Sequence, residues 1–168
     1  MYSTDHEIIP IVNLHDEIIG YKTRGEITTD DIYRVAACRI KDGDGNVLLA
    51  QRSWTKKNNP GKRWPAVAGT VWKDESYLDN ILKEIKEEVN IDANVDDLTQ
   101  WPKQYRDWIN KYFWQWFVLT YAWDKSLLQA EAWAVEQLKR YTPDELQDFL
   151  IQHSADCLQS LKWAFIHL

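Results

Sequence analysis

Residues 69–91, GTVWKDESYLDNILKEIKEEVNI, decide the fold. Leu78, Ile81, Leu82, Ile85 and Val89 recur at three- and four-residue intervals, which is the spacing of one buried face of an α-helix. That periodicity sets Glu84, Glu87 and Glu88 along the flank of the apolar stripe, with Glu84 and Glu88 one turn apart. Like charges at such spacing cost an isolated helix only about 0.2–0.5 kcal/mol per pair, so a solvated acidic helix is one reading. The other is a metal site. A hard divalent cation reverses the sign of the repulsion, and oxygen donors completed by water are what Mg2+ or Mn2+ prefers.

The spacing resembles the Nudix box, G-x5-E-x7-R-E-U-x-E-E-x-G-U, where U is a bulky apolar residue. Gly69, Glu75, Glu84, Ile85, Glu87, Glu88 and Ile91 fall on its positions. At average residue frequencies that set arises by chance with a probability on the order of 10^-5. Two positions depart: Lys83 stands where the family has Arg, and Asn90 where it has Gly. Lysine keeps the charge but loses the planar fork that orients carboxylates, which implies reduced activity. Asparagine is the next-best residue for a left-handed helix end, so Asn90 is expected to stop the helix as glycine would.

The resemblance implies a Mg2+-dependent (or Mn2+-dependent) hydrolase that cleaves a diphosphate linkage in a nucleotide or related metabolite. It makes Glu84, Glu87 and Glu88 metal ligands, the Gly69 carbonyl a further ligand, and Glu75 and Lys83 supporting residues. The catalytic carboxylates would be Glu84 and Glu88, and Glu131 from a later segment competes with Glu88 for the role of general base. Just ahead of the box, QRSWTKKNNPGKRW offers Arg52, Lys56, Lys57, Lys62 and Arg63. Of these, Arg52 and Lys56 match the residues that hold the substrate diphosphate in the subgroup resembling isopentenyl-diphosphate isomerase. The isomerase activity itself is an alternative, but Ala68, Tyr33 and Thr70 occupy positions where that subgroup has a cysteine and two histidines. Allylic proton transfer then has no evident acid or base. A non-catalytic module that binds a diphosphate ligand is the third reading.

The implied fold is an α/β/α sandwich around a central mixed sheet, with an N-terminal β-hairpin and C-terminal helices. Its 168 residues with 45% hydrophobic content suit one domain with a sizeable core. The expected parts are a hairpin at 7–27, a core at 33–138 and helices over 142–168. Segments 7–13 and 18–23 read as the hairpin; 33–40 and 47–52 read as strands around Asp42-Gly43-Asp44-Gly45-Asn46. A short strand at 64–68 leads into the box helix at 76–89, and the aromatic run 112–123 reads as a long strand. Residues 131–135 read as a strand followed by helix through Glu136-Gln137-Leu138. Thr142-Pro143-Asp144-Glu145 is a capping box that starts a helix, and 154–168 reads as a closing helix.

Twenty basic against twenty-six acidic residues give a net charge of −6, with no basic run beyond Lys56-Lys57 or Lys62-Arg63. Duplex nucleic acid is therefore not an expected partner; a small-molecule diphosphate is. The N-terminal MYSTDHEIIP has no basic segment followed by an apolar core, and no apolar run has spanning length, so a cytoplasmic protein without membrane association is expected. Cys38 and Cys157 read as buried thiols, not a disulfide.

Overall fold

The computed structural model describes residues 6–122, 135–158 and 161. Ten strands form one mixed sheet: β1 (Ile8–Val12), β2 (Ile18–Thr23), β3 (Ile32–Lys41), β4 (Val47–Arg52), β5 (Arg63–Pro65), β6 (Val67–Thr70), β7 (Leu98–Gln100), β8 (Gln104–Asp107), β9 (Lys111–Thr120) and β10 (Val135–Tyr141). Among the described residues, the helices α1 (Tyr77–Val89) and α2 (Pro143–Gln152) accompany it. β3 is the organising strand. It runs parallel to β9 along its whole length, Ile32 opposite Lys111 through Lys41 opposite Thr120, and its other edge meets β1, β6 and β4 in turn.

Alternation along β3 and β9 divides the core between the two faces of the sheet. Ala36, Cys38, Ile40, Phe117 and Leu119 face α1 and enclose Ile81, Ile85 and Val89. Ala37, Trp114 and Trp116 face the other way. On β4, Leu48 joins the first cluster, whereas Val47 and Leu49 pack with Tyr141 and Leu146 of the α2 layer. Helix, sheet and helix are therefore stacked as the sequence implies.

The ends of α1 are set locally. Ser76 caps it, accepting the Asp79 N–H at 3.1 Å while Asp79 accepts the Ser76 N–H at 3.0 Å. Asn90 ends it in the left-handed conformation, φ 56°, where glycine was the family residue. α2 begins at the expected Thr142 capping box, with Pro143 in its first turn. Cys38 and Cys157 are buried and free.

Three expectations need correction. Glu136, Gln137 and Leu138 are strand, not helix: β10 pairs antiparallel with β4 from Val135 opposite Arg52 to Tyr141 opposite Val47. The strand expected at 64–68 is two strands, because the chain leaves β4 after Pro65 and joins β3 at Val67. β7 and β8, which flank β9, were not foreseen. Residues 154–156 form one 3-10 turn, after which Cys157 bridges to Arg63; of the expected closing helix beyond it, only Leu158 and Leu161 are described.

The N-terminal hairpin is fastened by Asp16. Its backbone has φ +61°, and its carboxylate lies inside the protein. Arg34 Nε donates to it at 2.7 Å, the Tyr77 hydroxyl at 3.1 Å, and Lys103 also binds it. One side chain thus ties the β1–β2 turn to β3, to the start of α1 and to the segment before β8.

Candidate functional site

A cavity of about 640 Å3 opens between α1, β6 and the loop after β4. Glu84, Glu87, Glu88, Gly69, Arg52 and Lys56 all line it, so the fold brings together six residues named from the sequence. Glu131 lies outside the described residues. Lys62 and Arg63 turn elsewhere: Lys62 donates to the Ala155 carbonyl and Arg63 to Gln137 Oε1 at 2.9 Å.

Glu88 is buried and accepts the Ala68 N–H at 3.2 Å. Burial and the nearby Glu84 carboxylate push its pKa well above the ordinary range, against the smaller pull of Lys56 and Arg52. Glu84 rises to about 7, chiefly from burial, with Lys83 opposing and Glu87, Glu75 and Glu7 reinforcing. Glu87 is exposed at the rim. A Cβ at Gly69 would sit 2.3 Å from Glu84 Oε1, inside contact distance, so any side chain there would displace Glu84.

These donors fit a hard cation. Glu88 is buried and Glu84 half-buried beside it, both are held above their usual pKa chiefly by withdrawal from water and then by neighbouring carboxylates, and every donor is oxygen. Among the described residues no group of three or more histidine, cysteine, aspartate or glutamate side chains is arranged to hold a metal ion by itself. Mg2+ suits such a set, since it keeps waters and is bound through one or two carboxylates together with substrate phosphates.

Lys83, at the position of the family arginine, contacts the carboxylate of the box residue Glu75. Its ammonium reaches Glu75 Oε1 at 2.6 Å and lies 3.6 Å from the centre of the Trp72 ring. Glu75 is further fixed by the Trp72 N–H at 3.2 Å and Asn80 Nδ2 at 3.1 Å. The single contact replaces a fork, while neighbouring donors hold the carboxylate in place.

Opposite the acids lie the cations. Arg52 stands over the Trp64 ring at 4.9 Å, and its Nε donates to the Asn58 carbonyl at 3.0 Å. The loop is closed at its base by Arg52 N–H to Lys62 O at 3.0 Å and Gly61 N–H to Arg52 O at 3.2 Å. Gly61 adopts φ +70° beneath Trp54. Two cavity residues were missed from sequence: Glu7 and Arg24, joined at 2.7 Å across the N-terminal hairpin. No local pattern marks them, because they reach the cavity through long-range pairing.

A mixed sheet carrying an acid-lined helix beside a cationic loop is the α/β arrangement that the box implied. Residues 32–161 match the model of the NUDIX domain, and the chain belongs to the Nudix family. It is 32% identical over 93 residues to an uncharacterized Nudix hydrolase of Nostoc sp., covering 54% of this chain and 55% of that protein. It is 30% identical over 86 residues to the uncharacterized Nudix hydrolase YfcD of Escherichia coli K12, covering 51% and 48%. The chain thus spans about half the length of these curated relatives.

Among solved structures, Deinococcus radiodurans DR0079 superposes with a TM-score of 0.70 at 21% identity over 89% of this chain and 90% of that one. A MutT NUDIX hydrolase from Burkholderia pseudomallei gives 0.63 at 15% identity over 82% and 98%. A bifunctional NMN adenylyltransferase/ADP ribose pyrophosphatase from Francisella tularensis, complexed with AMP and a Mn ion, gives 0.58 at 15% identity over 77% and 38%. These likenesses establish the α/β Nudix fold. Among the described residues no helix is long and apolar enough to cross a membrane.

Proposed function

We propose that this protein hydrolyses a diphosphate linkage in a nucleotide or related small metabolite, with Mg2+, or Mn2+ in its place, as cofactor. The observation that carries the reading is one cavity in which half-buried Glu84 and buried Glu88 face Arg52 and Lys56. Glu84, Glu87, Glu88 and the Gly69 carbonyl would hold the cation, which when bound neutralises phosphate charge and lowers the pKa of water. Arg52 and Lys56 bind and orient the diphosphate, Arg52 being held in place by Asn58 and Trp64. Glu88, with its carboxylate fixed by the Ala68 N–H, receives the proton of the attacking water; Glu131 is the competing base. We read the chain as one cytoplasmic domain acting on a small molecule.

Supporting the hydrolase over the isomerase is Ala68, which lines the cavity without a titratable group. The relatives named above are Nudix hydrolases. Purified protein incubated with Mg2+ and a library of diphosphate compounds should release phosphate or a monophosphate. Conversion of isopentenyl diphosphate to dimethylallyl diphosphate at an enzymatic rate would instead establish the isomerase. Ligand-induced rise in melting temperature without turnover of any compound would establish a binding module.

A further inference from the structure

Glu7 and Arg24 line the cavity from the N-terminal hairpin, outside both the box and the loop after β4. Arg24 opens the 3-10 turn Arg24–Glu26 that follows β2, and its backbone is fixed on both sides. Its N–H donates to the Glu7 carbonyl at 2.8 Å, and the Thr23 N–H before it donates to Glu26 Oε2 at 3.2 Å. The side chain is anchored as well, Nη1 donating to Glu7 Oε2 at 2.7 Å. Yet the guanidinium is only partly engaged. Arg34 gives Nε to the Asp16 carboxylate and Nη2 to the Asp16 carbonyl, and Arg140 gives Nε and Nη2 to Asp42, whereas among the described residues the Arg24 guanidinium gives Nη1 alone. The rest of a fork that suits phosphate is left on a side chain 40% exposed at the cavity wall. The pair is also oriented. Glu7 adds to the repulsion that Glu84 feels from Glu87 and Glu75. Burial lowers the pKa of Arg52, Glu88 opposes, and the charge of Arg24 adds to the lowering. Two guanidinium groups therefore repel each other in this cavity, and an anion between them reverses the sign.

We infer that Arg24 binds a substrate phosphate together with Arg52, and that Glu7 is the positioning residue that holds Arg24 over the cavity. This deepens the hydrolase reading and rests on it. Arg52 and Lys56 come from one loop, whereas Arg24 comes from a separate hairpin, so two linked phosphates are held by cations of two independent elements. A single phosphate needs only one of them. Arg24 is thereby the residue that separates a diphosphate from a monophosphate, and so the substrate from its products. Glu7 has a second effect: an arginine already paired is kept off Glu84 and Glu88, which stay available to the cation.

The test compares two non-hydrolysable probes by calorimetry in Mg2+: methylenebisphosphonate, which carries two linked phosphonates, and methylphosphonate, which carries one. Wild type should prefer the bisphosphonate. Arg24→Gln should weaken bisphosphonate binding about tenfold and methylphosphonate binding by no more than about twofold. Arg24→Lys, which keeps the charge without the fork, should recover part of the loss. Glu7→Gln should weaken bisphosphonate binding about threefold, and that loss should vanish in the Arg24→Gln background, a dependence that general loosening of the hairpin does not produce. Additive losses in the double variant overturn the role of Glu7. Equal losses for both probes, or full bisphosphonate affinity in Arg24→Gln, overturn the assignment of Arg24 and leave the hydrolase reading standing. Failure of wild type to bind the bisphosphonate or to hydrolyse any diphosphate compound overturns the hydrolase reading itself, and the role of Arg24 with it.

Discussion

Asp16 and the Glu84–Glu88 pair, of which Glu88 is buried and Glu84 half-buried, are acids of the same protein with opposite surroundings. Asp16 is saturated: Arg34, Lys103 and Tyr77 all direct donors at its carboxylate. Glu88 has one backbone N–H, and Glu84 has the crowding of three other carboxylates against a single nearby lysine. Burying a charge is costly unless partners compensate it. Where the fold supplies those partners, the acid joins elements together; where it withholds them, the acid is left for something that arrives later. The contrast separates the acid that builds this protein from the acids that equip it.

The contrast breaks most visibly under neutralisation. Glu88→Gln keeps an acceptor for the Ala68 N–H and removes repulsion with Glu84, so the variant should unfold at no lower urea concentration than wild type. Its Mg2+-dependent hydrolysis should nevertheless fall about 100-fold, the upper range for disturbing a metal site. Turnover near the wild-type rate at limiting Mg2+ would remove Glu88 from the cation's donors.

Asp16→Asn should do the reverse. Asparagine tolerates the positive φ but leaves Arg34 and Lys103 without their anion. Because the lysine side chain is 38% exposed, water softens the loss, and about 2 kcal/mol of stability should disappear in urea unfolding. Turnover per folded molecule should stay within about threefold of wild type.

Added Mg2+ sharpens the comparison from the other side. At ten times its Kd it should stabilise wild type by about 1.4 kcal/mol, and Glu88→Gln by much less, measured as a shift in thermal unfolding. Asp16→Asn should keep the wild-type increment.

The smallest effect belongs to Asp42, a partnered acid on the surface. Burial works to raise its pKa, but Asn46 and Arg140 outweigh it and push the value down to about 2. The folded value lies below the ordinary carboxylate range near 3.9, so its contribution is present above about pH 4 and lost as pH falls through 2. Asp42→Asn should flatten the melting temperature between pH 4 and pH 2 relative to wild type.

What the sequence disclosed was mostly local. Ser76, Thr142 and Asn90 declare helix ends through hydrogen bonds and backbone preferences that span a few residues. Gly69, Glu75 and the helix acids are spaced by one strand, one turn and one helix, so their spacing carries over into space. β10 was misread because it is paired with β4 while residues 136, 137, 139 and 140 remain largely exposed, which leaves little alternation to see. β7 has three residues and is defined by its pairing with β9. Glu7 and Arg24 reach the cavity from a hairpin far away in the chain, and only the assembled sheet puts them there.

Gly69 has a consequence for descent as well as for geometry. The atoms that a side chain would meet there belong to Glu84, the movable end of a flexible residue, and not to the backbone. A lineage could acquire alanine at 69 and still fold, with Glu84 swung aside. Purifying selection at this position therefore tracks use of the helix carboxylates and not the integrity of the sheet, and among descendants of a common ancestor its drift would date the loss of chemistry.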